Sequence, residues 1–294
     1  MFEIRADIPY QHIAFDHGIV VSVKRIDLVH PHIAGNKFYK LNYDLQAARA
    51  QGKTWLISFG GAYSNHIHAL AHAAHEYGFQ ALGIIRGQEL AEQPLNPTLQ
   101  DAANLGMQLQ FISRADYRQK HTPAFLQAAL NQYPHAYVIP EGGSNALAIQ
   151  GCEEILSAAD KHNFEVICCA VGTGGTIAGI INASSDAQHI IGHAALKTDY
   201  LSAEVAQHTK RRNWHITSED VFGGYGHFNA ELLDFIAATE ATHGLPLDPV
   251  YTGKAYYRLC QHIQAGDFAP HSRILFIHTG GLQGHRPANP AQPA

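Results

Sequence analysis

From residue 54 to residue 140 the apolar positions fall in short unbroken runs, each closed by glycine, proline or a polar turn, with longer amphipathic or alanine-rich stretches between them. Short apolar runs bounded by turn residues read as buried strands, and the longer periodic stretches read as helices. The pattern predicts strands over 54–59, 80–85, 108–112 and 136–139, separated by helices over 65–77, 98–105 and 123–132. The alternation resumes after Gly143. It gives a helix over 146–161, a strand over 166–171, a glycine turn with a further helix, a short strand over 189–192, helices over 230–242 and 254–265, and a last strand over 273–278. Parallel strands need a crossover between them, and a helix fills it, so this order implies parallel sheets covered on both faces. The expected fold class is α/β, with two open parallel-type sheets and helices on both faces. Residues 41–140 read as a small inserted α/β domain within a larger one made of 1–40 and 141–294. The tail over 284–294, with three prolines, is expected to be loosely ordered.

Composition narrows the classes. The chain has 294 residues, of which 46% are hydrophobic and only 15% charged, and its net charge is -5 with histidine neutral. That content supports a sizeable core. No basic run favours nucleic acid, and no apolar stretch reaches the roughly 18 residues a membrane span needs. The segment Met1-Phe2-Glu3-Ile4-Arg5-Ala6-Asp7 lacks the basic and apolar regions of a signal peptide. Cys152, Cys168, Cys169 and Cys260 form neither a zinc pattern nor a disulfide framework, and Cys168-Cys169 lies in an apolar run suited to buried reduced thiols. The expected location is the cytoplasm. Histidine is abundant at 21 copies, and His68, His72 and His75 share one helical face. No acidic or cysteine ligand joins them in the sequence, so no metal site is expected there.

Three glycine-rich turns follow predicted strands, where ligands bind in open α/β sheets. Val171-Gly172-Thr173-Gly174-Gly175-Thr176 could present backbone N–H groups and two hydroxyls to an anion, or simply form a tight strand-to-helix turn. In Gly60-Gly61-Ala62-Tyr63-Ser64-Asn65-His66, Ser64 or Asn65 could cap a helix or expose its first N–H groups to a carboxylate. His278-Thr279-Gly280-Gly281 could aim a hydroxyl into a cleft. Lys37 follows Gly35-Asn36, a turn that would fix its direction. A lysine with a lowered pKa can form a Schiff base and act as a base.

Taken together, Arg25-Ile26-Asp27-Leu28, Gly35-Asn36-Lys37, Lys40-Leu41, Gly60-Gly61, Ser64-Asn65-His66, Pro140-Glu141-Gly142-Gly143-Ser144, Gly172 to Thr176, Gly224-Tyr225, Asp248 to Lys254 and His278 to Gly281 resemble, in order, the 1-aminocyclopropane-1-carboxylate (ACC) deaminase/D-cysteine desulfhydrase family. The resemblance covers about residues 23–284. It implies the tryptophan synthase β-like fold type II of enzymes that use pyridoxal 5'-phosphate (PLP), with the cofactor in the large domain and a homodimeric assembly. On this resemblance Lys37 carries the Schiff base and moves the Cα proton, and Asn65 reaches the cofactor's 3'-oxygen. Ser64, Asn65 and His66 hold the substrate carboxylate, and Gly172, Thr173, Gly174, Gly175 and Thr176 cradle the phosphate. Tyr225 and Tyr251 face the substrate, one of them as acid or base, and Thr252 and Thr279 approach the pyridine nitrogen.

ACC deaminases place glutamate directly after the matching tyrosine, where this chain has Thr252. A hydroxyl stabilises a pyridinium less than a carboxylate does. The departure favours β-elimination, with D-cysteine giving pyruvate, ammonia and sulfide. The alternatives are ACC deamination, deamination or racemisation of another D-amino acid, and a PLP-binding carrier or sensor without turnover. No family motif is matched between about 192 and 221.

Overall fold

The computed structural model describes residues 7–196, 200–218 and 222–284. In chain order the strands and helices are β1 (Tyr10–Ala14), β2 (Val20–Lys24), α1 (Asn36–Ala50), β3 (Trp55–Gly60), α2 (Asn65–Tyr77), β4 (Gln80–Arg86), α3 (Pro97–Asn104), β5 (Gln108–Ile112), α4 (Arg114–Tyr117), α5 (Pro123–Gln132), β6 (Ala136–Val138), α6 (Ala146–Glu153), α7 (Ala158–Asn163), β7 (Val166–Val171), α8 (Gly175–Ala183), β8 (His189–Ala194), α9 (Leu201–Ala206), β9 (Trp214–Thr217), α10 (Ala230–His243), α11 (Thr252–Ala265) and β10 (Arg273–Ile277).

Two sheets carry the fold. One has the order β1-β2-β10-β7-β8-β9 and the other β5-β4-β3-β6. Every pairing is parallel except that of the edge strand β1 with β2. Helices cover both faces, as expected of an α/β chain with fold type II. One continuous core runs from Leu56 and Ile85 at the smaller sheet, through Phe38 and Leu41 on α1, to Ile167 and Leu275 at the larger. Burying side chains of this size contributes about 1.5–3 kcal/mol each. All four cysteines are buried and unbridged, and burial pushes the Cys169 thiol up to about 12. Among the described residues no helix is long and apolar enough to cross a membrane.

Several elements depart from the sequence expectation. The helix expected over 146–161 is two, α6 and α7. Ser157 caps α7 reciprocally with Asp160, whose carboxylate pairs with Lys24 of β2. The carbonyl of Ile155, released by the break, accepts from Lys24 Nζ at 2.7 Å. A buried ammonium needs several oxygen partners, and the break supplies them. The segment around Lys37, expected as a fixed turn, has its turn at Gly35 and continues into α1. The hairpin β1–β2 and the outer strand β9 were not anticipated. The proline-bearing tail lies, after Gly284, outside the described residues.

Candidate active site

β3 and β7 lead through short loops into α2 and α8; Asn65 of α2 lies beside Gly281 in the loop after β10, and Thr176 of α8 accepts from Asn36. Here α1 begins. The Asn36 N–H donates to the Thr279 carbonyl at 3.1 Å and the Gly35 N–H to the Ile26 carbonyl at 3.1 Å. The loop after β10 thereby fixes the first turn of α1, which carries Lys37.

Lys37 Nζ donates to Asn36 Oδ1 at 3.3 Å, and Asn36 Nδ2 donates to Thr176 Oγ1 at 2.8 Å. Asn36 therefore links the lysine to the start of α8. Burial, and then the neighbouring Lys40 ammonium, lower the Lys37 pKa to about 7. Lysine in water titrates near 10.4, so at neutral pH this amine is available in its unprotonated, nucleophilic form.

Around the Gly172–Thr176 turn, polar side chains gather at the start of α8. Lys40, only 1% exposed, donates from Nζ to the Gly142 carbonyl at 3.0 Å and to Ser144 Oγ at 3.4 Å. Ser144 Oγ in turn meets Thr173 Oγ1 at 2.6 Å. A Cβ on Gly175 would stand 3.3 Å from both Lys40 Nζ and Ser144 Oγ. The side chains converge on the first turn of α8, whose N–H groups have no intrahelical partner. A buried ammonium facing neutral acceptors and a helix N-terminus fits a phosphate. Burial lowers the Lys40 pKa, and a bound phosphate would oppose that shift. Replacing Lys40 with glutamine is expected to weaken cofactor retention by roughly 30-fold or more, measured by fluorescence titration of apoprotein with PLP at fixed salt.

At α2, Ser64 is the N-cap and its Oγ accepts from the Ile67 N–H at 3.3 Å. The Asn65 side-chain oxygen accepts from Gln283, and Asn65 lines a small cavity with Lys37, Thr279 and Gly281. His66 departs from a direct substrate role through its ring. Its side chain is 2% exposed, and Nε2 meets Ser58 Oγ at 2.8 Å. Ser58 donates to the Ile139 carbonyl at 2.8 Å, so His66 Nε2 must supply the proton of the Ser58 contact. Burial, with Lys37 and Lys40 nearby, holds the ring pKa well below its usual range. A neutral, committed imidazole leaves only the His66 backbone N–H for a carboxylate. His68 packs on His72, which stacks on His32, at the edge of the same cavity.

Tyr251 and Tyr225 meet on the side of the larger sheet, with Tyr251 Oη donating to Tyr225 Oη at 3.1 Å. The Tyr251 ring lies against Gly172, whose Cβ would stand 3.0 Å from Cε1, while Tyr225 is 52% exposed. Burial, then Tyr225, push the Tyr251 pKa well above the ordinary phenol range. Thr252 is fully buried. Its Oγ1 donates to Asp248 Oδ1 at 2.7 Å and accepts from the Asp248 N–H at 2.9 Å. Contact with a ring nitrogen would require that hydroxyl to turn from Asp248. A buried carboxylate, that of Asp248, stands directly behind the Thr252 hydroxyl. Thr279 lines the cavity that holds Lys37.

Sequence reasoning did not single out Lys40, Asn36, Ser144 or Asp248 as site residues. The signal for Lys40 was its spacing, one helical turn after Lys37, and for Asp248 its place just before a helix that begins at Thr252.

The description "Pyridoxal-phosphate dependent enzyme" names the family whose profile matches residues 8–280. A Pyrococcus abyssi protein provisionally named as an ACC deaminase is 31% identical over 287 residues, covering 91% of this chain and 86% of its own. The bifunctional D-cysteine desulfhydrase/ACC deaminase of Arabidopsis thaliana is 31% identical over 296 residues, covering 91% of this chain and 74% of its own. A solved ACC deaminase homologue superposes with a TM-score of 0.80 at 28% identity, over 96% of this chain and 91% of its own. A phosphate cradle beside a lysine of lowered pKa suits the same cofactor, and the chain belongs to the PLP-dependent enzyme family, as a lyase or deaminase of the ACC deaminase/D-cysteine desulfhydrase type.

Proposed function

We propose that the enzyme catalyses β-elimination from a small β-substituted amino acid, with D-cysteine as the test substrate, releasing pyruvate, ammonia and sulfide. The observation that carries the reading is the placement of Lys37, with its pKa lowered to about 7, at the head of α1 and linked through Asn36 to the cradle at α8. Gly172 to Thr176 and Lys40 would hold the phosphate, Lys37 would hold the aldehyde carbon, and Asn65 and Thr279 would lie along the ring. When bound, PLP withdraws electrons from the substrate Cα.

The remaining work falls to the chain. The first N–H groups of α2, at Asn65 and His66, with Ser64 beside them, hold the substrate carboxylate. Lys37 Nζ takes the Cα proton. The Cα–H pair forms the new Cα–Cβ double bond as the Cβ–S bond breaks and its electrons leave with sulfur. Tyr251 is the hydroxyl suited to hydrogen-bond the sulfur as it leaves as hydrosulfide, with Tyr225 at the mouth. The released enamine takes up water and yields pyruvate and ammonia.

Deamination of ACC is the second reading. It is favoured by Asp248, whose carboxylate is relayed through Thr252 and could strengthen the electron sink. The two are separated by incubating holoenzyme with D- and L-cysteine and with ACC. Sulfide and pyruvate from cysteine support elimination. 2-Oxobutyrate from ACC, with no sulfide from either cysteine, overturns it in favour of ring opening. No product from any of them leaves the carrier or sensor reading.

A further inference from the structure

Arg86 ends β4, beside the point where β3 leaves its sheet: Gly60 pairs with Ile85, so Arg86 stands alongside Gly61. Its Nη2 lies 3.5 Å from where a Cβ on Gly61 would be. Gly61 opens the loop to Ser64, Asn65 and His66. The guanidinium lies 5.7 Å from the centre of the Tyr117 ring, and Lys120 Nζ lies 4.6 Å from the same ring. Tyr117 Oη donates to Glu141 Oε1 at 2.8 Å, and Lys120 pairs with Glu141 Oε2 at 3.1 Å.

This rim therefore holds two cations and one carboxylate. Glu141 is taken by Lys120, and among the described residues no carboxylate pairs with Arg86. Arg86 is exposed, and its place beside Gly61 sets it at the head of the loop that leads to Ser64, Asn65 and His66. The substrate carboxylate is already served by the helix N-terminus, and a thiol or cyclopropane side chain makes no use of a planar cation. A guanidinium held against a ring, with its fork free, matches a carboxylate, sulfonate or phosphate in bidentate geometry.

We infer that Arg86 is a specificity residue that selects amino acids bearing a second anionic group on the side chain. The inference rests on the proposed placement of the α-carboxylate at α2. Cysteine then ranks as a small member of a wider substrate set whose preferred members carry an oxyanion.

The test titrates holoenzyme with the near-isosteric pairs aspartate and asparagine, and glutamate and glutamine, in both configurations, following the cofactor spectrum. The wild type is expected to bind the acid of at least one pair about tenfold more tightly than its amide, as one charge-assisted contact implies. Arg86→Gln and Arg86→Met should bring that ratio close to one. A wild-type ratio near one overturns the inference. So does an equal loss for acid and amide in both variants, which would assign Arg86 to the α-carboxylate or to the shape of the loop. The ratio is read from binding, so an enzyme that shows it but releases no keto acid contradicts the proposed reaction alone. A spectrum that responds to no amino acid contradicts both.

Discussion

Lys37→Ala is expected to lower turnover by about 10³-fold or more while the protein stays folded. The amine serves twice, as the nucleophile that holds the cofactor and as the base at Cα, and loss of either role carries a penalty of that order. Its pKa of about 7 arises first from burial and then from Lys40. An ordinary lysine near 10.4 would be unprotonated at neutral pH in roughly one molecule in a thousand or fewer. Cofactor capture by apoprotein should therefore rise as pH increases through about 7 and level off above. The stability consequence has the opposite sense to a loss of function. A depressed lysine binds fewer protons folded than unfolded between its two pKa values, so it penalises the fold most below about 7, and the penalty fades as pH rises. Lys37→Ala should accordingly melt no lower than wild-type apoprotein. Lys37→Arg should not restore activity, since guanidinium stays protonated. A parallel fall in melting temperature and activity would assign Lys37 a structural role instead.

Gly35→Ala is expected to lose at least about 3 kcal/mol of stability together with cofactor binding. Gly35 has φ 64 and ψ -145, a region costly to any residue with a Cβ. A Cβ there would also stand 2.0 Å from the Thr279 carbonyl oxygen, a backbone atom that cannot step aside. Relieving that overlap moves either the loop after β10 or the first turn of α1, and Lys37 goes with the latter. Chemical denaturation of apoprotein gives the stability loss, and PLP titration gives the coupling to the site. A variant with wild-type stability would contradict the tight approach of these two segments.

What the sequence made legible follows from local signals. Helix α2 lies where the pattern places it because Ser64 caps it and Gly78 ends it, and α5 because Thr122 and Pro123 begin it. β5 and β7 also match their apolar runs. Helix α1 was obscured because Lys40, Asn42 and Asp44 are buried among its apolar residues and spoil its periodicity. The hairpin between β1 and β2 turns through His17 at φ 58 and Gly18 at φ 70, a turn marked by Asp16 and Gly18 rather than by an Asn-Gly pair. The break between α6 and α7 was masked by continued apolar spacing, though Ser157 offered a cap.

The site divides along the same line. Lys37 and the three glycine turns were readable because glycine, strand ends and a helix start are local features. The fate of the Thr252 hydroxyl was not, since Asp248 claims it only once α11 has folded. The burial of Lys40 is likewise a property of tertiary packing. The family resemblance implies that His66 holds the substrate carboxylate, but its ring turns back to Ser58.

The central claim is that the cofactor is bound covalently through Lys37. Holoenzyme reduced with borohydride, digested and analysed by mass spectrometry should carry the reduced pyridoxyl group on the peptide containing Lys37, and Lys37→Ala should carry none. A pyridoxyl group on Lys40 or Lys254, or its retention in Lys37→Ala at wild-type stoichiometry, would contradict the account.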